Sequence, residues 1–221
     1  MTNDAARTKQ EERLRRTVVP AQTAVLTMEL QRTVVGPQAM LPALVEEVQR
    51  AGTLIAAGKV CAAAREGGSR VVHCTIEERA DGAGAAENCK LFVMAGRMRA
   101  AGTSGLISGS EGARLVEELG DDPRDITVAR IHGMSPFMST SLDQILRNLG
   151  VRTVIATGVS VNVGVFGMVM SAIDLGYQVV LVRDAVAGVP VEYAQSVIDN
   201  SLSMLATVVT SDELLAAWDR V

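Results

Sequence analysis

The chain has 221 residues, 48% of them apolar and 21% charged, and its 21 basic and 25 acidic side chains give a formal net charge of −4. That length and balance fit one globular domain and exclude wholesale disorder. An acidic chain with only six aromatic residues also lacks the basic footprint and the stacking platform of a nucleic-acid binder.

Residues 1–20 carry both charge signs and lack the apolar core of a signal peptide, so an N-terminal arm is expected, a solvated, frayed tail or a short helix that packs on a neighbouring subunit. The globular domain is expected over residues 21–221. A first buried strand is predicted at Thr23–Glu29, then a long helix over Pro42–Glu66 and a second strand at Arg70–Cys74. Residues 75–110 follow, rich in glycine and alanine and without a clear period, as expected of a lid or binding loop. Beyond them the pattern predicts a helix at Gly112–Leu119, a strand at Ile126–Arg130, a helix at Ser139–Leu149 and a strand at Thr153–Thr157. The helix Val163–Leu175, strand Gln178–Val182, helix Val191–Met204 and short strand Ala206–Val209 come next. Last is a helix at Ser211–Trp218 with Ser211 as its N-cap. Apolar strands alternating with helices predict a single-domain, three-layer α/β/α fold around a mainly parallel six-stranded sheet.

Ligands of such sheets bind at the carboxyl ends of the strands, where Glu29, His73 and Cys74, Arg130 and His132, and Gly158–Gly164 are expected to emerge. The loop Gly158-Val-Ser-Val-Asn-Val-Gly lacks the G-x-G-x-x-G spacing of a dinucleotide site, so no nicotinamide cofactor is expected. Three cysteines, Cys61, Cys74 and Cys89, without CxxC spacing indicate a reducing, cytoplasmic setting. No run of about 18 apolar residues is present, so no membrane partner is expected.

The segment from Gly158 through Asn162 and Gly164 to Gly167, with the later step Ala172-Ile-Asp-Leu-Gly-Tyr177, resembles the isochorismatase-like hydrolase superfamily, also called cysteine hydrolases. The run Ala24-Val-Leu-Thr-Met-Glu29-Leu-Gln31 is similar to that family's first strand, which ends in a catalytic aspartate followed by x-Q. Ser135-Pro-Phe137-Met-Ser-Thr140-Ser-Leu142 resembles its S-x-F-x-x-T-x-L marker, and the likeness covers about residues 22–219. It implies the fold already predicted, a small-molecule hydrolase and a homo-oligomer.

All three positions of the family's commonest triad differ here. The aspartate position holds Glu29, the lysine position falls on Ile131 and the cysteine position on Gly164. Gly164 excludes an acyl-enzyme through that position, and the isochorismatases proper resemble this chain in carrying glycine there. They cleave a vinyl ether with a donated proton and water. Gly164 and Val163 either offer helix-start amides to an anionic substrate group or simply shape the turn. Glu29 is expected to act as general acid or to contact substrate, against the alternative of a buried carboxyl with no such task. Arg130, flanking Ile131, is read as a partner of Glu29, a clamp for a substrate carboxylate or a surface residue.

His132 and His73 titrate naturally near neutrality and sit at strand ends, as site candidates or as structural turns. Their spacing fits no metal cluster, so no metal is expected. Gln31, Ser160 and Asn162 complete the candidate substrate contacts, Asn162 with helix capping as its alternative. Cys74 is a conceivable relocated nucleophile but fits a buried filler better. The leading reading is a nucleophile-free hydrolase of vinyl-ether type acting on a small molecule, with a carboxylate-bearing substrate as one option. The competing one is a non-catalytic family member serving ligand binding or oligomeric scaffolding.

Overall fold

The β-branched runs pair side by side as a single parallel sheet in the computed structural model, which describes residues 3–138 and 140–219. The strands are β1 (Thr23–Met28), β2 (Arg70–Ile76), β3 (Ile126–Arg130), β4 (Thr153–Val159), β5 (Gln178–Ala187) and β6 (Thr207–Val209). They stand in the order β3-β2-β1-β4-β5-β6, every pairing parallel. β1 and β4 are buried at every position, as continuous apolar runs require in strands covered on both faces.

The helices in chain order are α1 (Asn3–Thr17), α2 (Arg32–Val35), α3 (Pro42–Arg50), α4 (Thr53–Gly67), α5 (Lys90–Ala100) and α6 (Leu142–Asn148). α7 (Gly164–Asp174), α8 (Val191–Val197), α9 (Ser203–Leu205) and α10 (Ser211–Trp218) follow. Alternation along the strands divides the core in two. Val25, Val71, Ile155 and Val180 pack under α1, α3, α4 and α10, while Leu26, Val72, Val154 and Leu181 pack under α6, α7 and α8. The chain thus has the predicted three-layer α/β/α architecture. Strand order reverses between β1 and β4, and there the two strands approach so closely that a Cβ on Gly158 would lie 2.2 Å from the Met28 carbonyl oxygen. With φ at +105°, Gly158 also has a backbone that other residues rarely adopt.

Several predicted elements differ, each for a local reason. The helix expected over Pro42–Glu66 is two, α3 and α4, broken where Gly52 takes a left-handed φ of +67°. Gly112–Leu119 forms no α-helix and ends in a 3₁₀ turn at Glu117–Leu119. Its carbonyls at Gly112 and Arg114 instead accept from the Thr33 and Arg32 amides, a tertiary pairing that replaces helical bonds. The predicted start of the next helix at Ser139 lies outside the described residues. Residues 75–110, read as irregular, contain α5. A π-turn over Ile198–Leu202 separates α8 from α9. Thr210, not Ser211, caps α10 in a reciprocal capping box with Glu213, while the Ser211 hydroxyl bonds Asp184 at 2.5 Å. Within the arm Asn3–Thr17 is helical, Leu14 and Val18 are buried, and the Trp218 indole donates to the Val18 carbonyl at 2.9 Å.

His73 does not reach the carboxyl-end cleft. Its ring is buried beside β1, with Nδ1 2.8 Å from Thr27 Oγ1 and Nε2 3.1 Å from Asp125 Oδ2. Arg65 of α4 pairs with the same carboxylate at 2.6 Å. Burial holds the imidazole below its ordinary value, and the Asp125 contact reverses this only in part. The folded chain therefore refuses a proton that the unfolded chain accepts below about pH 6.5. Neutral His73 contributes its full stability above that pH, and the contribution is lost as pH falls through it. Urea denaturation is expected to show stability falling from about pH 8 to about pH 5.5, with a shallower slope in His73→Gln.

Candidate active site

Where strand order reverses, ligands of doubly wound sheets bind beyond the carboxyl ends of the strands. A chamber of about 240 Å³ lies there, lined by Glu29, Arg130, His132, Ser160, Asn162 and Gly164, with Val163 beside them. Glu29 directly follows β1 and is the only non-glycine residue with a positive φ, +54°, among the described residues. That conformation is uncommon for a side-chain-bearing residue and breaks the alternation of β1 at the point where it meets the chamber. The Glu29 amide remains bonded to the Cys74 carbonyl at 3.0 Å, so the backbone is anchored while its direction changes.

Arg130, the last residue of β3, has a side chain only 2% exposed, and all three of its guanidinium nitrogens are engaged. Nε donates to the Gly133 carbonyl at 3.0 Å and NH1 to the Thr75 carbonyl at 3.2 Å, while NH2 forms an ion pair with Glu29 Oε1. Among the described residues no partner is recorded for Glu29 Oε2. Three of its five N–H donors are thereby used within the protein, bracing the strand ends and the Glu29 carboxylate. Ile131 follows β3 on the chamber wall, 44% exposed, beside a half-buried His132.

On the opposite side of the switch point, Ser160 Oγ donates to Asn162 Oδ1 at 3.0 Å, and Asn162 Nδ2 donates to the Val189 carbonyl at 3.2 Å. Asn162 therefore ties the β4 and β5 ends together and does not cap α7, whose N-cap position is Val163. The start of α7 is crowded: a Cβ on Gly164 would sit 2.8 Å from Met28 Cε and 3.2 Å from the Val159 carbonyl oxygen. The fully buried Met28 side chain occupies the space that a side chain at position 164 would enter.

Gln31 and His73 lie outside the chamber wall. Gln31 is fully buried, donating to the carbonyls of Ile76 at 3.0 Å and Ala113 at 2.8 Å and accepting from the Ile76 amide. Its amide is consumed in clamping the end of β2. Cys74 is also sealed off, and burial pushes its thiol up to about 12, which leaves it un-ionised at neutrality.

Sequence reasoning missed the other half of the wall. Leu91, Phe92, Ala95 and Met98 of α5 line the chamber at helical spacing, as do Glu78, Arg99 and Ser104. Glu78 follows the end of β2, so the rule that picked out Glu29 could have found it. Its carboxylate accepts from Ser104 Oγ at 2.6 Å and pairs with Arg99 at 3.4 Å. Among the described residues, no group of three or more His, Cys, Asp or Glu side chains is arranged to hold a metal ion, and no helix is long and apolar enough to cross a membrane.

A doubly wound sheet with a partly open chamber at its switch point is the architecture of a small-molecule α/β protein. The chain belongs to the isochorismatase family, whose domain model matches residues 23–213. It is 31% identical to the ureidoacrylate amidohydrolase RutB of Pseudomonas syringae pv. syringae over 80% of this chain and 75% of that protein. An isochorismatase family protein from Desulfovibrio vulgaris superposes with a TM-score of 0.76 at 27% identity, covering 90% of this chain and 97% of that one. A cysteine hydrolase from Pseudomonas syringae pv. phaseolicola shares the fold, with a TM-score of 0.74 at 20% identity over 92% and 95% of the two chains.

Two measurements check this geometry. Arg130→Ala is expected to cost about 3–5 kcal/mol in urea unfolding, because it strands a carboxylate and two buried carbonyls. Adding Glu29→Gln should return part of that loss. Gly164→Cys is expected to destabilise by about 1–3 kcal/mol through its clash with Met28. The double variant with Met28→Ala should lose less than the sum of the two single changes.

Proposed function

We propose that this isochorismatase-family hydrolase works without a covalent nucleophile, with Glu29 handling the proton and water completing the cleavage of a vinyl-ether-type bond. The observation that carries the reading is the division of the Glu29 carboxyl, Oε1 held by Arg130 and Oε2 without a recorded partner on the chamber wall. A fixed carboxyl with one oxygen available is the geometry general acid catalysis needs. The absence of any side chain at Gly164, with Met28 packed into that space, supports a route that forms no acyl-enzyme.

In the proposed sequence Glu29, ionised in its pair with Arg130 while the chamber is empty, takes up a proton as the substrate binds; the C=C electron pair then takes that proton from Oε2, leaving a carboxylate and an oxocarbenium ion. Water adds to the cationic carbon and returns a proton to Glu29. The resulting hemiketal then breaks its C–O bond, giving a ketone and an alcohol, so one water is consumed and the acid is regenerated. Arg130 holds the carboxyl in place and steadies the carboxylate formed midway. The relative named as an amidohydrolase raises amide cleavage as another course for this chain, but at position 164 nothing is present that can attack a carbonyl.

Turnover of small vinyl ethers and small amides, followed by mass spectrometry, tests the proposal. Vinyl-ether hydrolysis by the wild type, reduced about 10²–10⁴-fold in Glu29→Gln, is the expected result. Hydrolysis unchanged in Glu29→Gln would overturn it. Ligand binding with no turnover of any vinyl ether would replace it by the non-catalytic reading.

A further inference from the structure

The chamber wall carries four formal charges, and they cancel in pairs within the protein. Glu29 is matched by Arg130, and Glu78 by Arg99. Both arginines are largely buried, their side chains 2% and 15% exposed. A charged group entering such a chamber would lose its hydration and meet no free counter-charge.

Apart from Thr33, Ser104, His132, Ser160 and Asn162, the rest of the wall is apolar, and its arrangement is specific. α5 presents Leu91, Phe92, Ala95 and Met98 to the chamber, while Gly96 is its only buried residue. A helix normally turns its apolar stripe onto the core. Here the stripe faces the chamber, with Met40 and Leu44 also contributing to the wall. α5 is fixed through the Glu78 carboxylate, which takes Arg99 from the helix and Ser104 from just beyond it. The Glu78 backbone meanwhile bonds the Leu106 carbonyl at 2.8 Å and the Ser108 amide at 2.9 Å. The second charge pair thus serves to hold the apolar wall in place.

From this we infer that the substrate is an uncharged small molecule with an alkyl or aryl body, seated against α5 with its scissile group towards Glu29. This specificity rests on the proposed hydrolase site for the orientation of the substrate. The largely apolar, charge-neutral wall sets which molecules bind. A carboxylate-bearing substrate, one of the possibilities raised by the sequence, is disfavoured by the same wall.

Non-hydrolysable saturated ethers separate the two ideas, because they report binding without turnover. The probes are an n-alkyl ethyl ether series, phenyl ethyl ether and 4-ethoxybenzoate, measured by calorimetry on the wild type and on Ala95→Lys, a change at a half-exposed helix position. The wild type is expected to bind phenyl ethyl ether at least about tenfold more tightly than 4-ethoxybenzoate. Each methylene added to the alkyl series should improve binding about fourfold until the chamber is full. Ala95→Lys places a cation on the wall and should reverse the preference towards the benzoate. Equal or tighter binding of the benzoate by the wild type would overturn the inference, as would failure of every neutral ether to bind. Tight neutral binding combined with a wild type that hydrolyses no vinyl ether would sink the hydrolase proposal and leave the specificity intact.

Discussion

The closeness of β1 and β4 at the reversal of strand order governs everything built above them. Gly158 lies so near the Met28 backbone that no side chain fits, and Met28 in turn fills the volume in front of Gly164. Two glycines on β4 and at the start of α7 are therefore consequences of one approach between neighbouring strands. The same approach delivers Glu29, on the residue after Met28, to the chamber edge in a left-handed backbone conformation. In front of Gly164 the terminal methyl of Met28 lies 2.8 Å from where a Cβ would stand.

Electrostatics follow the same economy. Arg130 reaches from β3 across the end of β2 to Glu29, bonding the Thr75 carbonyl on the way. It links three strand ends, and its removal would leave several buried groups without partners at once. A lysine at position 131 would have supplied a single ammonium. The guanidinium one residue earlier supplies three separate directed bonds in a planar fork, suited to a site that must brace backbone as well as a carboxylate.

The layers and the parallel sheet could be read from the sequence because β1, β2, β4 and β5 are short apolar runs set off by glycine and polar residues, a signal that depends only on neighbours along the chain. The chamber's strand-end residues could be read for the same reason, since topology alone places Glu29, Arg130, Ser160 and Asn162 at one edge. His73 and Gln31 sit at that edge in sequence but turn elsewhere, one to Asp125 and the other to the carbonyls of Ile76 and Ala113. Those partners are 45 to 82 residues away, and no local pattern announces them. α5 was hidden differently. Its stripe faces a cavity and its outer face carries apolar residues too, including Met94 at 38% exposure, which blurs the helical period.

The way α5 is attached has a kinetic consequence. With a single buried residue and a charge pair as a tether, α5 is held to the core by far less than α4 or α7, which bury six and five residues. Such an arrangement favours local opening of α5 ahead of β1 and β4, which are buried at every position. Passage into the chamber therefore needs no breathing of the core. A bound apolar body, by bridging that helix to the strand ends, would add to the contacts that hold α5 in place.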